Sequence, residues 1–208
     1  ELLQATTQIA AANGVPQLIH VAETLDETEA LVAESALRPV RWLQEHGLLE
    51  QPLVAAHCVH VNAEEIQLMS RYGVGVAHNP TSNLKLASGI APVAEMLRRG
   101  VHVGIGTDGC ASNNDLDMFE EMRLAALLPK VVTGSPVAVP AEDALAMARA
   151  TLEAGDEVAG AGLDDVAMRG LALSVTGRLE EALGVFDGAA RRWPNCVEVR
   201  LMRAIGLM

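Results

Sequence analysis

The sequence predicts an α/β fold in which parallel strands alternate with helices. Four apolar runs are short enough to be buried strands, and each is bounded by glycine, proline or polar residues. The segments between these runs carry apolar residues at helical spacing. Strands that alternate with helices in this way form parallel strand–helix–strand units. The expected strands span residues 17–22, 53–57, 74–78 and 101–105.

Composition and charge limit the kind of protein that this chain can be. Half of the 208 residues are hydrophobic and 20% are charged, which is enough apolar material for a folded core. The net charge of −12 disfavours a nucleic-acid partner, because phosphate backbones attract basic surfaces. No apolar run approaches the roughly 20 residues that span a bilayer, so no membrane partner is expected. The three cysteines form no C-x-x-C pair, which predicts a reducing compartment, the cytoplasm.

Helix signals fall between the expected strands. Thr24 is a suitable N-cap for a long helix, which we expect to bend at Pro39. Asn62 and Glu65 have the spacing of a capping box. The stretch 79–92 is rich in proline, asparagine, serine and glycine, which predicts a long, functional loop. Further helices are expected at residues 116–128 and 141–152.

Chemically versatile side chains lie at the end of each expected strand. His20, His57 and His78 end the first three strands, and Asp108 follows the fourth. The carboxyl ends of parallel strands are where α/β proteins place their sites, and in a (β/α) barrel this face carries the active site. Because four units make half of such a barrel, we expect a partial TIM-type barrel over residues 1–152.

Each of these residues also has a purely structural explanation. A lone buried histidine can be held by the backbone, and Asp108 could cap the helix that follows it. Glu23 lies three residues after His20, so both side chains reach one site only if the strand breaks between them. The joint pattern favours a metal site, in which His20 and Asp108 are ligands and Glu23 and His57 carry protons.

The composition changes after residue 152. Residues 153–162 are small and acidic, and they predict a linker. Beyond it, small residues, one phenylalanine and a closing proline fall at the positions expected in a single tetratricopeptide repeat of roughly 34 residues, over residues 163–196. We therefore expect an all-α, tetratricopeptide-like tail over residues 163–208. Such a short repeat cannot bury its own faces and needs a neighbour, within the chain or in another chain.

Four longer motifs carry a resemblance to a known family. They are HVAET from His20, AAHCVH from Ala55, HNPTSNLKLASGIAPV from His78 and GIGTDGCASNNDLDM from Gly104. Together they resemble the amidohydrolase superfamily, and within it the adenosine-type deaminases that act on S-adenosylhomocysteine and 5'-methylthioadenosine. The resemblance implies a hydrolytic deaminase whose partner is a small purine nucleoside thioether. Chlorohydrolases and other amidohydrolases remain open as alternatives.

The resemblance also implies roles for individual residues. The chain would supply strands five to eight of the barrel, with His20 and Asp108 as metal ligands. Glu23 would shuttle a proton to the purine ring nitrogen. His57 would orient or activate the reactive water. The metal would be zinc, or iron as in some relatives.

The family's site is only partly represented in this sequence. His78 and Asn83 would help to shape the substrate pocket. The first-strand His-x-His pair, which supplies two further ligands in the family, is absent. We therefore expect weak metal binding and little activity from this chain alone. The alternative is a catalytically incomplete half-barrel whose helical tail acts in protein association, with open sheet edges that favour a homo-oligomer.

Overall fold

The computed structural model of the chain describes residues 2–157 and 179–192. It contains a four-stranded parallel sheet in the order β1-β2-β3-β4, which confirms the predicted α/β architecture. Each observed strand falls within its predicted run. The strands are Gln17–Val21 (β1), Leu53–His57 (β2), Gly75–His78 (β3) and His102–Ile105 (β4).

Helices occupy the segments between the strands. The Thr24 side chain caps the first helix after β1, and the predicted capping box at Asn62 and Glu65 is present. In chain order the described helices are Leu2–Asn13 (α1), Leu25–Ser35 (α2), Pro39–Glu45 (α3), Ala63–Tyr72 (α4), Pro80–Lys85 (α5), Val93–Arg98 (α6), Met118–Thr133 (α7), Ala141–Glu157 (α8) and Leu179–Arg192 (α9).

The prediction of one long helix after Thr24 is wrong, because two helices stand there. α2 ends at Ser35, since Ala36 adopts a left-handed φ of 58° and its N–H bonds to the carbonyl of Val32 at 2.8 Å. Pro39 then occupies the first turn of α3, where its missing N–H is not needed. The proline therefore starts a new helix instead of bending an existing one.

The stretch 79–92 is not the continuous loop that its composition predicted. Pro80 begins the short helix α5, again at a position where a proline is tolerated. The chain leaves this helix at Leu86, and residues 88–92 have no regular structure. The helix places Ser82 and Asn83 in the interior, where both are buried.

In-register pairing brings the carboxyl ends of the strands together. Val21 lies opposite His57, and His78 lies opposite Ile105. One face of the sheet forms the core. Its register partners Ala55, Val76 and Val103 are all buried. The other face is more open, since Leu18 on β1 is 74% exposed.

Contacts divide the chain into one unit of Glu1–Met147 and a second of Ala148–Met208. α8 continues to Glu157, past its predicted end at residue 152, because alanine and glutamate favour helix. α9 lies where the second helix of the predicted repeat was expected. The remainder of the predicted linker and repeat lies outside the described residues, so the tetratricopeptide-like tail stays a prediction. Within the described ranges, no helix is long and apolar enough to cross a membrane.

A buried carboxylate ties α3 to α4. Glu65 accepts hydrogen bonds from Arg38 Nε at 2.7 Å and from the N–H of Val40 at 3.0 Å. The same carboxylate accepts from the N–H of Asn62 at 3.0 Å, within the capping box. Arg38 also donates to the carbonyl of His60. Glu65 thus serves the first turns of two helices, and its partner Arg38 holds the segment that leaves β2.

Replacing Glu65 by alanine should lower the free energy of unfolding by about 2–4 kcal/mol, because two backbone N–H groups and a guanidinium lose their acceptor. Urea and thermal unfolding measure this loss. Glu64→Ala removes an exposed carboxylate from the same helical turn and should cost at most about 1 kcal/mol. Equal unfolding midpoints for the two variants would show that the Glu65 contacts do not stabilise the fold.

Candidate active site

Residues with a left-handed backbone conformation lie just after β1, at the end of β2 and just beyond β4. The φ angles are 50° at Ala22, 69° at His57 and 61° at Asp108. For residues other than glycine this conformation costs about 1–3 kcal/mol, and it persists where surrounding contacts enforce it, often at functional sites. The turn at Ala22 also supplies the strand break that a shared site for His20 and Glu23 requires.

His57 lies at the centre of these strand ends. Its side chain is 1% exposed, and its Nδ1 lies 2.8 Å from the amide oxygen of Asn83. Because a carbonyl oxygen only accepts, Nδ1 carries the hydrogen, and Nε2 of the neutral ring keeps its lone pair. That Nε2 lies 3.9 Å from a carboxylate oxygen of Glu23 and 4.0 Å from one of Asp108. Asn83 therefore fixes the ring so that its basic nitrogen faces two acids.

His20 stacks on His57 from the neighbouring strand. The ring centroids are 5.2 Å apart and the planes are inclined by 21°. Among the described residues, one potential ligand atom from each of His20, His57 and Asp108 lies within 4.8 Å of the other two. The structure therefore brings together the four residues for which the sequence predicts metal binding and proton transfer. It also places His57 inside the potential ligand cluster, a position that the sequence did not indicate.

Asp108 is held by hydrogen bonds on both carboxylate oxygens. Ser82 and Ser112 each donate to Oδ2 at 2.6 Å, and the N–H of Gly109 donates to Oδ1 at 2.7 Å. Burial alone would raise the pKa of Asp108, but these hydrogen bonds outweigh it and hold the pKa below its ordinary value. The side chain is thus kept ionised. It does not cap α7, because Asp117 does so.

His78 and Asn83 are both buried beside the strand ends. Each is 1% exposed, and Asn83 contacts His57 directly. Nδ1 of His78 has no hydrogen-bond partner among the described residues. Their role in shaping a substrate pocket stays a prediction. Sequence reasoning missed Ser82, because a serine in a turn-rich segment carries no signal of what its hydroxyl contacts.

The donor set fits a divalent metal of the zinc type. Two imidazoles and one ionised carboxylate are ligands that zinc prefers. Their convergence is built by residues on β1, at the end of β2 and after β4, so the strand register and not a local sequence motif creates it. The arrangement can hold a metal beside a histidine nitrogen and an acid able to exchange protons.

Comparison with known proteins identifies related chains. The profile of the Amidohydrolase family matches residues 1–150. A 5-methylthioadenosine/S-adenosylhomocysteine deaminase from Pelotomaculum thermopropionicum is 54% identical over 150 residues, which is 72% of this chain and 35% of that protein. This chain therefore spans about a third of the length of the curated relatives that it matches.

Solved structures of hydrolytic enzymes also match this chain over most of its length. An adenosine deaminase from Xanthomonas campestris with bound zinc matches with a TM-score of 0.69 at 41% identity, over 74% of this chain and 34% of that one. An atrazine chlorohydrolase from Arthrobacter aurescens, complexed with zinc, matches with a TM-score of 0.68 at 33% identity, over 74% of this chain and 34% of that one.

The buried His78 predicts a specific acid sensitivity of the metal-free chain. Burial, with a smaller contribution from the charge of His57, lowers its pKa from 6.5 to about 4. Between these values the unfolded chain binds a proton that the folded chain does not, so stability is lost as pH falls through this window. Lowering the pH from 7 to 5 should therefore reduce the free energy of unfolding by about 2 kcal/mol through this histidine.

Urea unfolding at the two pH values, with a chelator present, measures this effect. His78→Gln should lose less stability on acidification than the wild-type chain does. His102→Gln, at an exposed histidine on the same sheet, should retain the wild-type loss. An unchanged pH dependence in His78→Gln would mean that His78 is already protonated, or is not buried, in solution.

Proposed function

The chain belongs to the amidohydrolase family, and from that premise we propose that it contributes strands five to eight of the barrel of a metal-dependent hydrolytic deaminase of adenosine-type thioethers. The convergence of His20, His57 and Asp108 at the strand ends carries this proposal. The 54% identity to a protein named as a methylthioadenosine and S-adenosylhomocysteine deaminase supports the substrate class. In the reaction, water adds to the ring carbon that bears the amino group, and ammonia leaves.

His20 and Asp108 would hold the metal, most favourably zinc, in line with the zinc-bound relatives. When bound, zinc supplies Lewis acidity that lowers the pKa of a coordinated water. Asp108 suits the ligand role because its hydrogen bonds keep it ionised. These bonds also fix the direction of the carboxylate before any metal arrives.

His57 and Glu23 would move protons. Nε2 of His57 has a free lone pair in the neutral ring, so it can orient the reacting water or accept its proton. Glu23 is partly exposed, and a carboxylate oxygen lies 3.9 Å from that nitrogen. A carboxyl in this position can deliver a proton to a purine ring nitrogen. His78 and Asn83 would bound the inner wall of the substrate pocket.

A related hydrolytic reaction is the second candidate. The zinc-bound atrazine chlorohydrolase matches almost as well in structure as the deaminase does, at lower identity. Both reactions replace a leaving group on an electron-poor aromatic carbon by a hydroxyl group from water, and the leaving group takes up the remaining proton. The residues that hold the metal would serve either reaction, and contacts to the substrate would decide between them.

The chain alone would be a weak catalyst. Its sequence has no His-x-His pair, and one face of its sheet exposes Leu18 to 74%. We propose that further barrel strands must complete the site, whichever polypeptide supplies them. The non-catalytic alternative, an association module with a helical-repeat tail, would require neither metal nor substrate.

Zinc titration of the purified chain separates these proposals. His20→Ala and Asp108→Asn should each weaken zinc binding by at least about tenfold, the smallest loss typical even of residues that only support a ligand. His102→Ala removes an exposed histidine of β4 and should leave the affinity within about twofold of the wild type. Equal zinc affinity in all four proteins would contradict the metal site.

Ammonia release from S-adenosylhomocysteine and 5'-methylthioadenosine tests the reaction itself. We expect little turnover by this chain, and any turnover should be lost in Asp108→Asn. Chloride release from a chlorinated triazine tests the second candidate in the same samples. Full zinc occupancy with rapid deamination by the chain alone would show that the barrel half is self-sufficient.

A further inference from the structure

Glu121 on α7 is a fully buried acid that the proposed reaction does not use. Its side chain is 0% exposed. One oxygen accepts from the N–H of Thr81 at 3.0 Å, and the other accepts from Nδ2 of Asn113 at 2.6 Å. We propose that Glu121 is a positioning residue, which fixes Asp108 through these two contacts without touching it. This inference rests on the metal site proposed above.

The first contact reaches Asp108 through α5. Thr81 directly precedes Ser82, whose hydroxyl donates to Oδ2 of Asp108 at 2.6 Å. A bond from Glu121 to the Thr81 N–H therefore holds the backbone that carries this donor. Thr81 and Glu121 lie 40 residues apart in sequence, so their contact sets the position of α5 relative to α7.

The second contact reaches Asp108 through its own turn. Nδ2 of Asn113 also donates to the carbonyl of Thr107, the residue before Asp108, at 2.8 Å. Ser112, the residue before Asn113, donates its hydroxyl to Oδ2 of Asp108 at 2.6 Å. Glu121 therefore holds the asparagine that fixes both the peptide before Asp108 and the segment carrying its second serine donor.

The partners of Glu121 require two acceptor oxygens. Thr81 N–H and Asn113 Nδ2 are both donors, so both oxygens must accept. Asn113 cannot reverse its amide, because Nδ2 serves Thr107 and its oxygen accepts from the N–H of Leu116 at 3.1 Å. A glutamine would turn an NH₂ group toward one of these donors and leave a buried clash.

The need for such support follows from the backbone at Asp108. Its φ of 61° is a strained conformation, which surrounding contacts must enforce. The three direct donors to the carboxylate orient it only if their own backbones are fixed. Glu121 connects the two segments that carry the serine donors, so loss of one connection should let the carboxylate shift.

The test compares Glu121→Gln with Glu120→Gln, which makes the same substitution at an exposed neighbour on the same helix. The readouts are zinc affinity, the visible absorption spectrum of bound cobalt and the melting temperature of the full chain. We expect Glu121→Gln to weaken zinc binding by about tenfold and to alter the cobalt spectrum, which reports ligand geometry. Glu120→Gln should match the wild type. A lower melting temperature with unchanged affinity and spectrum would overturn the inference, because it would mean a structural role only.

Hydrogen–deuterium exchange of the metal-free chain separates failure of this inference from failure of the metal site. If the wild type binds neither zinc nor cobalt, the proposed metal site is wrong. Hydrogen–deuterium exchange then tests the positioning role of Glu121 by itself. Faster exchange across residues 79–83 and 107–113 in Glu121→Gln alone would support the positioning role, and equal exchange would overturn it. If Glu121→Gln does not fold, Asn113→Ala removes one of the two contacts of Glu121, together with the bonds of Asn113 to Thr107 and Leu116, and should change the same readouts. Wild-type behaviour in Asn113→Ala would overturn the inference.

Discussion

The left-handed turns at the strand ends are the constraint on which the site depends. A strand sends successive side chains to opposite faces, so residues that continued β1 could not all face one point. The turn at Ala22 lets His20 and Glu23 both approach His57. The turn at Asp108 lets a carboxylate approach His57 from the end of β4, at the opposite edge of the sheet from β1. These turns cost free energy, so the hydrogen bonds that orient the side chains also stabilise the local fold.

Buried polar groups give the site its rigidity. A buried amide or carboxylate is unfavourable unless it is hydrogen-bonded, so each such bond fixes part of the arrangement around it. Asn83 supplies an acceptor for His57, and the serine hydroxyls supply donors for Asp108. Glu65 plays the corresponding part between α3 and α4. The chain has only 2% aromatic residues, so directional contacts of this kind, and not large aromatic side chains, define the geometry here.

The strands and the convergence of His20 and Asp108 could be predicted from sequence, because short apolar runs and parallel strand ends are local and general features. The break after Ser35 could not, because an alanine in a left-handed conformation carries no sequence signal. The contact between His57 and Asn83 joins residues 26 apart and depends on where α5 lies relative to the end of β2. Such contacts follow from tertiary packing, which spacing along the chain does not specify.

The supports for the residues of the proposed site are unequal. Asp108 and His57 are held from several directions by side chains on α5 and the loop after β4. His20 is exposed and lies on β1, which is at one end of the described sheet and pairs only with β2. Stacking on His57 restrains its ring, but no strand among the described residues pairs with the outer edge of β1. A strand paired along that edge would therefore raise metal affinity mainly by fixing His20, since the carboxylate of Asp108 is already oriented.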